Sequence, residues 1–97
     1  SLAYASDDWK VEVWLDCSVD DALRRFPVAY AELIPDGDGC VLKRGSDDLV
    51  DVAMTLLFAG VHFEIRRPDE LYEAFRRVGE RAAAIADRPG VLHPGRL

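Results

Sequence analysis

Residues 10–16, Lys-Val-Glu-Val-Trp-Leu-Asp, alternate without a break, so that Val11, Val13 and Leu15 fall on one side and Glu12 and Trp14 on the other. Side chains on a β-strand point to opposite faces with a period of two, and this run therefore predicts a strand with one apolar face. Such a strand must be covered by another layer. The period then changes. Ser18 caps a short predicted helix with Asp20 and Asp21 in its first turn, and Val19, Leu23 and Phe26 line one side of it. Pro27 closes that helix. Tyr30 to Ile34 and Cys40 to Arg44 are two further short strands, joined through the turn-rich run Pro35-Asp36-Gly37-Asp38-Gly39.

Ser46, followed by Asp47 and Asp48, is expected to cap a second helix running to about Ala59, where Gly60 stops it. Val61, Phe63 and Ile65 alternate with His62, Glu64 and Arg66 as a fourth strand. Pro68 fits the first turn of a third helix, ahead of Asp69 and Glu70. Leu71, Phe75, Val78, Ala82 and Ile85 then repeat at spacings of four and three, a long amphipathic helix ending near Asp87. The predicted class is α+β, a ferredoxin-like split βαββαβ. Its four-stranded antiparallel sheet has expected order 4-1-3-2, with two helices on one face plus a C-terminal helix. Residues 1–9 read as a linker, 10–87 as one domain and 88–97 as a flexible tail. The opening Ser1-Leu2 is expected to mark a piece of a longer chain.

Eighteen acids against twelve bases leave a net charge of −6. Phosphate backbones are bound by clustered Lys and Arg, so duplex DNA and anionic membranes are poor partners for this surface. The chain has no Asn or Gln and ten Arg to two Lys. Two cysteines, Cys17 and Cys40, are too few for a secreted disulfide framework, and no apolar run approaches the ~20 residues that span a bilayer. With no signal-peptide pattern at the start, a cytoplasmic protein without membrane association is expected.

No catalytic constellation assembles. Neither His62 nor His93 has a nucleophile with a base and an orienting acid, and no glycine-rich phosphate loop is present. A non-enzymatic chain without cofactors is expected. Asp36 to Asp47 fails as a calcium loop, because the sixth position is Val41 where the turn needs glycine. Cys17, Cys40 and His62 fall at one end of adjacent predicted strands, yet alternation turns His62 away from Val61 and Phe63; buried, inert, reduced thiols lying near one another are expected there, with no metal. The pairs Asp20-Asp21 and Asp47-Asp48 follow serines and read as helix-capping charges. Glu73 and Glu80 lie within pairing distance of Arg76 and Arg77 along the third helix, as on a solvated face.

One surplus remains. The second helix has an inward stripe in Leu49, Ala53 and Leu56, and a further apolar row in Val50, Met54, Leu57 and Phe58. A helix apolar nearly all round needs cover on both sides. Trp14 points to the sheet face that two helices leave open. Trp14, Val50, Met54 and Phe58 are therefore the candidate partner-interface residues. Either the third helix covers one of these surfaces or a partner does.

The strand Lys10–Asp16, then Ala22-Leu23-Arg24-Arg25-Phe26, the Asp36–Gly39 turn with Val41-Leu42, Asp47-Asp48-Leu49, and Phe63-Glu64-Ile65 leading to Pro68-Asp69-Glu70-Leu71 together resemble the C-terminal extension (WCX) domain of WYL-domain transcription regulators. The likeness spans residues 10 to about 87. It implies a ferredoxin-like domain that takes part in dimerisation and signal relay, as a homodimer through this domain or an adjacent WYL domain. It also implies that DNA is contacted only through a winged helix-turn-helix lying N-terminal to both. No helix-turn-helix and no Trp-Tyr-Leu triplet occurs here, so no DNA-contacting residue is carried over. The alternative is a free-standing small-molecule sensor of the ACT-like type, which needs a ligand cleft with convergent polar groups.

Overall fold

The computed structural model describes residues 8–27 and 29–88; residues 1–7 of the expected linker and 89–97 of the expected tail lie outside them. Seven elements follow in order: β1 (Trp9–Leu15), α1 (Val19–Arg25), β2 (Glu32–Asp36), β3 (Gly39–Ser46), α2 (Leu49–Ala59), β4 (Phe63–Arg67) and α3 (Glu70–Ala86). The protein is α+β, with one four-stranded antiparallel sheet and three helices. The strands lie in the order β2-β3-β1-β4, so β1 and β3 are central. Val13 sits opposite Leu42 on one side and Ile65 on the other, and Leu42 faces Leu33 in turn. Leu15 is flanked likewise by Cys40 and Phe63. This register puts an apolar band across all four strands, and α1, α2 and α3 pack onto it through Ala22, Phe26, Val52, Ala53, Leu56, Leu71 and Ala74.

Several boundaries move from their expected places, each for a local reason. Trp9 belongs to β1, paired opposite Ser46 and half-buried against the core. β2 and β3 extend to Asp36 and Gly39, shrinking the turn between them to Gly37-Asp38. Pro35 thus lies inside β2, which it can do because β2 is an edge strand with one side free of ladder bonds. Ser46 does not cap α2; it ends β3 and exchanges hydrogen bonds with the backbone of Asp48. Asp48 is the cap, its carboxylate accepting from the amides of Val50 and Asp51. Gly60 ends α2 in the left-handed region, at φ 69°, where glycine carries no steric penalty. Pro68 precedes Asp69, the N-cap of α3, and so stands outside the helix.

Two inward assignments also change. Leu23 is exposed, and Ala22 takes its place against the sheet because α1 is only two turns long and approaches closely through the small side chain. On α2, Val52 joins Leu49, Ala53 and Leu56 in the core. Arg44 is a polar intruder on the inner face. Its guanidinium lies 4.1 Å from the Tyr30 ring centroid and donates to the Tyr30 carbonyl at 2.5 Å, while Tyr30 stacks on Phe26. Burial pushes the Tyr30 hydroxyl above its ordinary pKa.

Candidate interaction surface

Leu49, Val52, Ala53 and Leu56 turn to the sheet, so α2 spends one side on the core. The opposite side carries Asp51, Met54 and Phe58 at spacings of three and four, one exposed face of the helix. Phe58 is 94% exposed, Met54 56% and Leu57 54%. A ring so fully in water forgoes the roughly 2 kcal/mol that burying it contributes. Val50 differs from its row-mates: it is half-buried, because α3 packs along that flank of α2.

α3 itself divides in two. Leu71 and Ala74 are buried, Phe75 and Val78 half-buried, and Phe75 meets Phe63 of β4 with ring centroids 5.5 Å apart. From Gly79 to Ala86 every residue is exposed, including Ile85 at 62%. The apolar stripe nevertheless continues through Ala82 and Ile85. Where it leaves α2, the two helices enclose a groove of about 470 Å³ floored by Val50, Met54, Val78, Ala82 and Ile85, with Arg77 and Arg81 on its rim. The third helix therefore covers the Val50 flank of α2 and leaves Met54, Leu57 and Phe58 open.

Trp14 points away from the helices, as alternation requires. It is half-buried there by its own chain: its indole lies over Gly39, and Nε1 donates to the carbonyl of Asp36 at 3.2 Å. A Cβ at position 39 would stand 2.7 Å from that ring and 2.1 Å from the Leu15 carbonyl oxygen, so only glycine fits beneath the indole. Beside it Arg66 pairs with Asp36 at 2.7 Å, and Arg67 lies 3.7 Å from Glu12.

The remaining chemistry-bearing residues serve the fold. Cys17 and Cys40 are free thiols, one half-buried and the other buried, close enough for each to perturb the other. Burial and the neighbouring sulfur hold the Cys40 thiol up at about 11, and burial raises Cys17 as well. Thiols held protonated in this way are poor nucleophiles. Hydrogen bonding from Arg25 draws the Asp21 carboxyl below its usual range, and Arg25 also donates to the Ala59 carbonyl, tying α1 to the end of α2. His62 is exposed and joins the cysteines' end of the sheet only through its backbone carbonyl, which accepts from the Asp16 amide at 2.9 Å. Among the described residues no three His, Cys, Asp or Glu side chains converge on a metal position. Glu73 pairs with Arg76 at 2.8 Å.

With that arrangement in view, one comparison is decisive: a protein-family model described as the WCX domain matches residues 7–83. The chain belongs to the WCX family. No curated protein and no solved structure matches it. The WCX match ends just beyond Ala82, so it takes in α2, most of α3 and every residue of the groove except Ile85. Reading the sequence alone missed Arg77 and Arg81 as parts of this surface. Their signal was present, since they stand one turn apart and flank Val78, Ala82 and Ile85. Nothing in the sequence, however, says that α2 leaves that part of the stripe uncovered. Among the described residues no helix is long and apolar enough to cross a membrane.

Proposed function

We propose that this WCX domain is the C-terminal dimerisation and signal-relay module of a WYL-family helix-turn-helix transcription regulator. It acts by protein contact, without catalysis or cofactor, in the cytoplasm. Its fold is read as ferredoxin-like: the order β2-β3-β1-β4, taken from the other edge, is the 4-1-3-2 arrangement of a split βαβ unit. DNA contact falls to other domains of the regulator, in keeping with a net charge of −6 and basic residues largely interleaved with acids.

The observation that carries the reading is the uncovered row Met54, Leu57 and Phe58 on a helix whose other side is fully committed to the core. A regulator domain that relays a signal needs a surface whose covering changes with state, and an apolar row on a rigid helix supplies one. Sedimentation velocity of the chain and of Phe58→Asp tests it. The wild type is expected to associate with itself or with a WYL domain added in trans. The variant should keep its helical circular dichroism while losing association at least ten-fold, because a carboxylate buried in an apolar interface costs more than the lost ring. Undiminished association in Phe58→Asp would remove α2 as the contact surface.

A further inference from the structure

The groove between α2 and α3 is built in one chemical sense. Its floor is apolar, Met54 of α2 with Val78, Ala82 and Ile85 of α3, and its charged rim is Arg77 and Arg81. Among the described residues no carboxylate lines it. Its volume of about 470 Å³ lies within the range of small-molecule pockets, which join an apolar lining to a few polar groups. The two bases are not equivalent. Arg77 also lines the adjoining cleft with Asp47, Asp48, Glu70 and Glu73, and its charge is answered there. Arg81 has no such company. One turn before it stand Arg77 and Val78, one turn after it Ala84 and Ile85, and among the described residues it enters no ion pair. Like charges one turn apart weaken a helix, so α3 gains nothing from a second base beside Arg77. The step from Val78 to Ile85 rises about 10 Å along α3, the length of a medium alkyl chain.

We propose that this groove binds a small amphiphilic carboxylate, a medium-chain aliphatic acid whose tail lies along the floor and whose head is held by Arg81. A guanidinium meets a carboxylate through two parallel N–H···O bonds, which fixes the head while the tail leaves water. The tail covers Met54 and Ile85, both more than half exposed in the protein alone. The acids of the adjoining cleft repel the head and so orient it away from the Asp47–Glu73 end. Met54 belongs both to the groove and to the exposed row of α2, so an occupied groove alters the surface proposed for protein contact. The binding step itself does not depend on that contact.

Met54 is the only methionine of the chain, so isotopic labelling of the methionine methyl gives a single magnetic-resonance signal from the groove floor. Decanoate, kept below its micelle concentration, should shift that signal saturably at sub-millimolar concentration. Decanol, with the same tail and no charge, should bind about ten-fold more weakly. Arg81→Gln should weaken decanoate about ten-fold and leave decanol unchanged. Arg81 is exposed, and circular dichroism read in parallel shows that the variant keeps its fold. Arg24→Gln on α1 removes the same net charge far from the groove and should leave decanoate binding as it is. That set of results supports the proposal. Equal binding of decanoate and decanol, or a loss in Arg24→Gln as large as in Arg81→Gln, overturns it, because the head is then not recognised at Arg81. A Met54 signal that does not shift saturably below the micelle concentration overturns it outright. Sedimentation of Phe58→Asp is a separate measurement, so the contact reading stands or falls on its own.

Discussion

The open face of the sheet and the outer face of α2 each present an aromatic side chain, and the molecule treats the two in opposite ways. Trp14 is drawn onto its own backbone: a glycine beneath the ring, a carbonyl accepting from the indole nitrogen and a flanking Arg66–Asp36 pair leave it half-covered. Phe58 has nothing over it. Both rings sit opposite the core side of their element, and parity alone ranks them equally as contact residues. The difference lies in the neighbours. A central strand is flanked by others whose turns and side chains can close over a ring, while the outer side of a helix has only its own next turn. The helix face is thus the one that its own chain leaves uncovered, and Trp14 is better understood as a clamp on the β2–β3 hairpin.

The contrast can be pressed at three points. The largest effect is expected at Gly39. Gly39→Ala drives a methyl against the Leu15 carbonyl oxygen and the Trp14 ring, and should destabilise the domain by about 4 kcal/mol, read as a fall in the denaturant midpoint. Wild-type stability in that variant would mean that both the Leu15 carbonyl and the Trp14 ring give way there, and that Gly39 does not fix the seat of the indole. The second point sets the two sides of α2 against each other. Leu56→Ala should cost about 3 kcal/mol, because it empties a fully buried site, whereas Phe58→Ala should change the stability of the isolated chain by less than about 0.5 kcal/mol. Equal losses would put Phe58 in the domain's own core. The smallest effect is at the indole nitrogen. Trp14→Phe keeps most of the ring and removes the hydrogen bond to Asp36, which should cost about 1 kcal/mol and raise amide exchange in the β2–β3 turn. No change in either measurement would strip Trp14 of its clamping role.

Much of the architecture was legible because it follows from periods. Val11, Val13 and Leu15 on one face, the strand-helix-strand-strand-helix-strand-helix order, Gly60 as a stop and the Leu71–Val78 stripe all arise from local geometry that a residue carries with it. The resemblance to WCX domains, built from those pieces in order, was legible too. The errors share one cause. Ser46 looked like a cap, yet pairing of β3 with β1 continues as far as Ser46 and hands the cap to Asp48. Leu23 looked inward, yet the closeness of α1 to the sheet favoured Ala22. Pro35 read as the start of the hairpin turn, yet an edge position let it join β2. In each case a partner strand or a packing distance decided, and neither is a property of the residues concerned.

For the contact surface the division is similar. The sequence by itself determined that α2 is apolar on more than one side and that α3 is amphipathic along its whole length, since both are statements about which residues recur every three or four positions. Only the tertiary structure decided which of those residues remain in water. α3 takes the Val50 flank, then runs on past its cover, leaving Met54, Phe58 and Ile85 exposed beside Arg77 and Arg81. Periodicity sets where a side chain points; the length and placement of the neighbouring element set whether anything is there to meet it.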